Sequence, residues 1–361
     1  GLRNTACSWS LQESCRSHFS WAGPDCMYKK LLTNTSILSW METVNVAMET
    51  MYGVMEDLGV DSLDVDWISF LVWMFLPIMV AFVLPVFVIL FLYLTALIIH
   101  IYRARHKLRD AFAVDVWLGA RKTVALLWEL QAKIWHGYEI HGVEKLPASG
   151  PALVVYYHGA IPIDLYYVMA KVVLNQNRLL YAVADRFMFK IPGWNLMLKV
   201  MCVTPGAPED CIKLLQEGNL LSLSPGGVRE ALFGDEYYRL VWRNRMGFAK
   251  VAKKAKVPIY PMFTQNCREG FRSIRMGRHF LEWVYEKTRL PIVPIYGGFP
   301  VKFRTYIGDP IPYDPKVSAQ ELAVKTHNAL EQMIDAHQKI PGTVFGALLD
   351  RIPAFSTEKQ E

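Results

Sequence analysis

From Trp67 to Tyr102 the chain runs for 36 residues without Asp, Glu, Lys or Arg. One straight helix of that length reaches roughly 54 Å at 1.5 Å per residue, well past the ~30 Å hydrocarbon core of a bilayer. Two full antiparallel spans need about 40 residues plus a turn. Pro77 and Pro85 lie in the run, and a proline inside a helix removes a donor and clashes with the preceding turn. The segment therefore reads as a helical hairpin dipping into the bilayer or as one kinked, tilted span. Its position and length exclude a secretory signal peptide.

The flanks differ in charge. Residues 42–66 hold seven acidic groups and no Lys or Arg, whereas Arg103, Arg105, Lys107 and Arg109 follow the run. Positive flanks stay on the cytosolic side, so everything after 103 is expected in the cytosol. Trp40, Val44, Met48, Met51, Met55 and Leu58 recur at helical spacing, an amphipathic helix beside those acids. A second amphipathic stretch, 103–135, carries Leu108, Phe112, Val116, Leu127, Trp128, Ile134 and Trp135 and reads as a helix lying along the membrane interface. Residues 1–40 are polar and loose, and are taken as a non-native extension of the folded part.

The overall balance agrees. Hydrophobic residues make up 52% of the chain and charged residues 20%, with a net charge of +6. Disordered chains lack that apolar surface. The charge is compatible with an anionic membrane surface and too weak to imply nucleic acid. The six cysteines include no C-x-x-C pair, which argues against a zinc ribbon or redox pair, and the three in the globular part read as reduced core thiols.

From 136 to 345 strands and helices alternate. Short apolar runs at 152–157, 179–184, 219–223, 258–263 and 292–296 read as strands covered on both faces, with helices near 163–175, 208–217, 245–256 and 318–338. This is an α/β domain, a mixed sheet flanked by helices, with 346–361 as a tail. It lacks G-x-S-x-G, Walker A and G-x-G-x-x-G. His136 and His141 sit five apart in an expected strand, on opposite faces, and so share no metal. The basic stretch 239–256 reads as an amphipathic helix with a solvated face or an anionic-lipid contact.

Two constellations remain. His158 directly follows the apolar run Pro151–Tyr157, and the carboxyl end of a strand in an open sheet is where ligands sit. Pro162 suits a first helical turn, which places Asp164 near that helix's start. A histidine with a carboxylate in reach acts as a general base, the acid fixing its tautomer. A helix cap and a turn histidine fit the spacing equally, so both readings stand. The second constellation is Ser224-Pro-Gly-Gly-Val-Arg-Glu230. There Gly226 and Gly227 let backbone N–H groups approach a ligand, with Arg229 and Glu230 beside them.

In order, Tyr157-His-Gly to Asp164, Pro225-Gly-Gly to Glu230, Arg245-Met-Gly-Phe-Ala249 and Val257-Pro-Ile-Tyr-Pro-Met262 resemble the glycerolipid acyltransferases, the diacylglycerol acyltransferase 2 branch in particular. The resemblance covers about residues 67–350. It implies a cytosol-facing domain anchored to the endoplasmic reticulum membrane, esterifying a glycerolipid hydroxyl. Carried over, His158 is the general base, Asp164 its partner, and Gly226, Gly227, Arg229 and Glu230 line the acceptor site. No cofactor or metal is implied. The acyl donor is acyl-CoA or a membrane phospholipid, and the partners are membrane lipids, diacylglycerol or monoacylglycerol.

Two departures stand out. Five residues separate His158 from Asp164, where the family usually has four. No arginine block of the phosphate-acceptor enzymes is evident around Val200–Pro208, which is uncharged. A neutral acceptor is therefore expected. A lysophosphatidate acyltransferase and a catalytically silent membrane-shaping or lipid-carrier protein are the alternatives.

Overall fold

The computed structural model describes residues 65–106, 117–289 and 291–352, with single helical positions at 46, 49 and 50. The chain divides into two compact units, Gly1–Met74 and Phe75–Glu361. Except for those three positions, the amphipathic stretch 40–58 lies outside the described residues. So do Lys107, Arg109 and the rest of 107–116, and the last nine residues of the tail.

The apolar run does not turn back on itself. It forms one 42-residue helix, α1 (Val65–His106), continuous through Pro77 and Pro85. Within the second unit Ala81, Pro85, Leu92, Ala96 and Ile99 are buried. They recur at steps of three, four and seven residues, a single stripe down one side of the helix. Most of its other described side chains between Leu71 and Ile101 are apolar and exposed, with Phe82, Val86, Phe87, Ile89, Leu90, Leu94 and Leu97 among them. A helix buried in a soluble core would hide those residues. Leu71–Tyr102 is long and apolar enough to cross a membrane. Gly298 lets the helix come close: a Cβ there would stand 2.7 Å from that of Leu84.

Helix α2 (Leu118–His136) follows. Ala120, Val124, Ala125, Trp128, Ala132 and His136 form its buried face, while Leu126, Leu130 and Ile134 make an exposed apolar stripe at four-residue spacing. Trp128 is a packing residue, meeting Phe91 edge-on at 4.7 Å and stacking on Tyr166 at 5.0 Å. His136 ends this helix and His141 ends the first strand, β1 (Glu139–His141). The expectation of one strand carrying both fails because Gly137, in the left-handed region, stops the helix between them.

The sheet then builds outward from its middle. Its later strands are β2 (Ala152–Tyr156), β3 (Leu180–Val183), β4 (Val203–Thr204), β5 (Leu220–Leu223), β6 (Ile259–Gln265) and β9 (Arg304–Ile307). The order is β1-β9-β6-β2-β5-β3-β4, and every pairing is parallel except β6 with β9. Strands β2 and β6 are buried along their whole length, as parallel strands with helices on both faces must be. Leu153 and Val155 point to one side, against Ile259, Phe263, Leu322 and Leu330. Val154 and Tyr156 point to the other, against Leu165, Val168 and Val172.

Helix α3 (Ile163–Gln176) covers this second face. Helix α4 is Trp194–Val200, and α5 (Pro208–Gln216) starts with proline in its first turn. Helix α6 is Gly227–Phe233, and α7 is Gly247–Ala255. The basic stretch 239–256 is thus helical only in its second half. Helix α8 (Cys267–Gly270) is a single turn after β6. It leads into β7 (Phe271–Ser273), and α9 (Arg278–Thr288) separates that strand from β8 (Ile295–Gly297). The expected strand at 292–296 pairs only with β7, in a separate two-stranded ribbon. Helix α10 (Ala319–His337) opens on a capping box, the Ser318 side chain accepting from Glu321 and Glu321 accepting from Ser318. Helix α11 (Val344–Leu349) closes the described chain.

Candidate active site

Three neighbouring parallel strands end side by side. Val155 pairs with Leu223 across β2 and β5, and Tyr156 pairs with Met262 across β2 and β6. The loops leaving their carboxyl ends therefore meet. One carries His158, one Pro225–Glu230, and the third Cys267 and Arg268. This is the edge of an open α/β sheet where ligands bind.

His158 is half-buried. Its Nδ1 lies 2.7 Å from the Gly159 carbonyl oxygen. Only the ring nitrogen can donate in that contact, so the proton sits on Nδ1 and the Nε2 lone pair is left free. Burial lowers the ring's pKa to about 4, the Arg268 charge adding to the effect and the Gly159 carbonyl opposing it. The imidazole is neutral at physiological pH, in the tautomer a general base requires.

Behind it stands Glu230, fully buried. Its Oε2 accepts the backbone N–H of His158 at 2.9 Å and the Ser224 hydroxyl at 3.3 Å, while Oε1 accepts the Val241 N–H at 2.9 Å. Burial raises its pKa, and the two backbone donors and Arg268 hold that rise in check. Both oxygens are engaged by protein, so Glu230 braces the histidine loop. Gly226 must be glycine for this packing, because a Cβ would fall 2.4 Å from the Glu230 side chain. Gly227 donates to Ser224 Oγ, and Arg245 Nη1 donates to the Pro225 and Gly226 carbonyls at 3.0 Å each. The arginine of the Arg-x-Gly-Phe segment thus fixes the glycine turn.

Arg229 is directed elsewhere. Its buried guanidinium pairs with Glu286 at 2.7 Å and Glu282 at 3.2 Å, tying α6 to α9. Charge beside a ligand, expected of it from the sequence, is spent on these two carboxylates.

Asp164 lies in the first turn of α3 and is 1% exposed. No hydrogen bond of ordinary geometry reaches either oxygen. Burial raises its pKa to about 6, opposed in part by Thr264 and by the N–H groups of Asp164 and Leu165. His158 Nδ1 donates to the Gly159 carbonyl, so the dyad contact expected of Asp164 is absent here. The five intervening residues carry the acid past Pro162 onto the helix, beside Thr264 of β6.

Arg268 escaped the sequence reading. It is fully buried, with Nε donating to Tyr157 Oη, Nη1 to the Ala231 carbonyl and Nη2 to the His158 carbonyl, each at 2.9 Å. Nη2 also donates to the Glu230 carbonyl. A planar fork satisfies four acceptors at once and joins the histidine loop to α6. Nothing in its spacing marked it. Three of its four acceptors are backbone carbonyls, which every residue carries. Among the described residues no group of His, Cys, Asp or Glu is placed to hold a metal ion.

A family model described as Acyltransferase matches residues 137–265, which include β2, β5 and β6, His158 and the glycine turn. A relative from Bos taurus named "DGAT1/2-independent enzyme synthesizing storage lipids" is 56% identical over 295 residues, covering 81% of this chain and 88% of its own. The protein of that name from Homo sapiens is 54% identical and covers 82% and 91%. The chain belongs to this acyltransferase family. It is an acyltransferase by domain and by relatives that span most of its length. A crystal structure of a 1-acyl-sn-glycerophosphate acyltransferase from Thermotoga maritima is 17% identical, with a TM-score of 0.42 over 68% of this chain and 96% of that one.

Proposed function

We propose that this acyltransferase esterifies the free hydroxyl of a neutral glycerolipid, turning diacylglycerol into triacylglycerol and accepting monoacylglycerol as well. The observation that carries the reading is the His158 tautomer, with Nδ1–H spent on Gly159 and Nε2 open at the end of β2. Nε2 takes the acceptor's hydroxyl proton as the oxygen attacks the acyl carbonyl. A carbon–oxygen bond forms and the donor's carbon–sulfur bond breaks, or its carbon–oxygen bond where a phospholipid is the donor. The imidazolium then returns the proton to the leaving thiolate or alkoxide. No covalent enzyme intermediate is required.

Asp164 supports the imidazolium through its charge. A buried carboxylate without a hydrogen-bond partner is destabilising, and its presence beside a reacting loop fits a functional demand. The Gly226–Gly227 turn, held from behind by Arg245, is the backbone wall against which the acceptor lies. The relatives' names favour storage-lipid synthesis. Two further facts favour a neutral acceptor over lysophosphatidate. The stretch 200–208 is uncharged, and Arg229, one substitute for a phosphate-binding arginine, is neutralised by Glu282 and Glu286.

The apolar surface of α1 and the exposed stripe of α2 fit a protein held in a bilayer, which we assign to the endoplasmic reticulum with the catalytic domain in the cytosol. A neutral acceptor then reaches the site from the membrane. The test offers diacylglycerol, monoacylglycerol, lysophosphatidate and glycerol 3-phosphate, separately and in competition, to wild-type and His158→Ala protein in nanodiscs. Diacylglycerol or monoacylglycerol should win, and the variant should be inactive. A tenfold preference for lysophosphatidate would overturn the acceptor assignment.

A further inference from the structure

Helix α9 carries apolar side chains that its own packing does not use. Its inner face is fastened to α6: Tyr285 packs with Leu232, Phe233 and Val293, and Arg229 holds Glu282 and Glu286. Phe280, Trp283 and Lys287 follow one another at steps of three and four residues, on the side away from Leu281 and Tyr285. Phe280 is 65% exposed and Trp283 59%, with their rings stacked at 6.1 Å, and Met276, one turn earlier, is 85% exposed. Large apolar side chains clustered in the open, unlike single ones, mark an interaction surface.

Charge and position both say what covers it. The two acids of α9 are taken by Arg229, and Arg243 adds a second contact to Glu286 at 3.4 Å. Lys287 and Arg289 are exposed, and among the described residues neither is in an ion pair. Arg289 lies over the Tyr285 ring at 5.8 Å. A cationic rim beside a stacked Phe–Trp pair is the make-up of a helix lying in the interface of an anionic membrane. As for position, α9 joins β7 to β8 at the outer end of their ribbon, and that ribbon lies against α1. A Cβ on Gly298 would stand 2.7 Å from that of Leu84, and the rings of Phe82 and Tyr296 are 6.1 Å apart. Leu84 and Phe82 thus meet 298 and 296 in the same order, so the N-terminal direction of α1 leads toward the α9 end of β8. The exposed apolar side of α1 continues that way through Met79 and Ile78.

We propose that α9 is a second bilayer contact: Phe280 and Trp283 enter the headgroup layer of the membrane that surrounds α1, and Lys287 and Arg289 meet its anionic headgroups. The inference rests on the reading of α1 as lodged in a bilayer and not on which acceptor is esterified. A membrane around α1 is already beside α9, and a tethered surface needs only a weak contact because its effective concentration is high. Through Arg229 the same contact ties α6, which carries Glu230, to the lipid surface.

The experiment places the full chain in phosphatidylcholine nanodiscs, with or without phosphatidylserine, doped with a phosphatidylcholine that carries a diazirine near its glycerol. Crosslinks are mapped by mass spectrometry. Residues 276–289 should be labelled along with α1, and phosphatidylserine should raise the labelling of α9. The double variant Phe280→Ser, Trp283→Ser changes two exposed positions. It should cut α9 labelling by about tenfold or more while the labelling of α1 stays. Lys287→Glu with Arg289→Glu should remove the phosphatidylserine effect, which keeps the test open if the first pair fails to fold. Labelled α1 with unlabelled α9 overturns the inference and leaves α1 in the bilayer. No label on either overturns the bilayer reading as a whole. Labelling of α9 that survives Phe280→Ser, Trp283→Ser in folded protein, or a phosphatidylserine effect that survives the charge reversals, overturns the assignment of this face. Chain-to-chain crosslinks through α9 in place of lipid would overturn it too and give the face to a second copy.

Discussion

The backbone N–H of His158 donates to Glu230 Oε2 at 2.9 Å. The turn that resembles a substrate-binding motif therefore acts first on the histidine's own backbone. A carboxylate accepting two buried amide donors, from His158 and Val241, aligns the loop without touching the imidazole. Replacing it by Gln sets an amide NH2 against one of those donors. Glu230→Gln should lower kcat by about tenfold to a hundredfold and destabilise the fold by about 1–3 kcal/mol, the penalty for a buried unsatisfied donor. Steady-state kinetics and thermal melts of the purified variant check it. Wild-type kcat would make the turn a substrate contact alone.

Arg268 makes a second test, of structure more than chemistry. Arg268→Met leaves the carbonyls of His158, Ala231 and Glu230 without this donor, and a loss of about 3 kcal/mol or more is expected. Lys carries the charge but not the fork, so Arg268→Lys should rescue little of that stability. Full rescue by Lys, seen in denaturant unfolding, would show that charge near Glu230 matters and the fork does not.

The pH dependence has a definite sign. The His158 pKa is lowered from 6.5 to about 4. The base stays unprotonated far below the ordinary histidine range, so His158 itself imposes no acid limb above about pH 5, and a fall in rate near pH 6 reports protonation of Asp164. The stability contribution runs the same way. The unfolded chain protonates near 6.5 and the native ring does not, so this group's contribution is full above 6.5 and is lost as pH falls toward 4. An acid limb centred at 6.5 that persists in Asp164→Asn would mean that the ring is solvated during turnover.

Much of this was legible in the sequence, and the pattern of what was not is physical. The central strands β2, β5 and β6 and helices α3, α5 and α10 announce themselves, because burial on both faces demands continuous apolar runs and α10 carries its own capping box. The peripheral strands β1, β4 and β9 are two to four residues long, with mixed side chains, and register only through their neighbours. Helix against hairpin for α1 could not be decided from hydropathy, since both bury the same residues. At the site, His158, the glycine turn and Glu230 were found by their place after strands. The exchange of roles was invisible: Gly159 takes the Nδ1 contact that the resemblance assigned to Asp164, and Glu282 and Glu286 take Arg229. Hydrogen bonds to backbone carbonyls leave no mark on composition.

Asp164 separates function from folding most sharply. Its pKa is raised from 3.8 to about 6 by burial. Below about 3.8 both folded and unfolded chains hold the proton, and the group has no effect on stability. Between 3.8 and 6 the unfolded chain releases its proton while the native one keeps it, so stability falls as pH rises. Above 6 the deficit is complete, about 3 kcal/mol at 1.36 kcal/mol per pH unit. Asp164→Asn keeps the shape and removes the titration. The variant should therefore match wild type in stability near pH 4 and exceed it by about 1–3 kcal/mol above pH 6. Turnover should move oppositely: without the negative charge the imidazolium at His158 is less stabilised, and kcat should fall by tenfold or more with KM little changed. Denaturant midpoints across pH 4–8 and kinetics at pH 7.5 read the two effects separately. A more stable Asp164→Asn protein with undiminished kcat would leave the acid as an uncompensated burial with no part in transfer. One that is less stable at every pH would mean that the carboxylate holds a hydrogen bond which the amide cannot make.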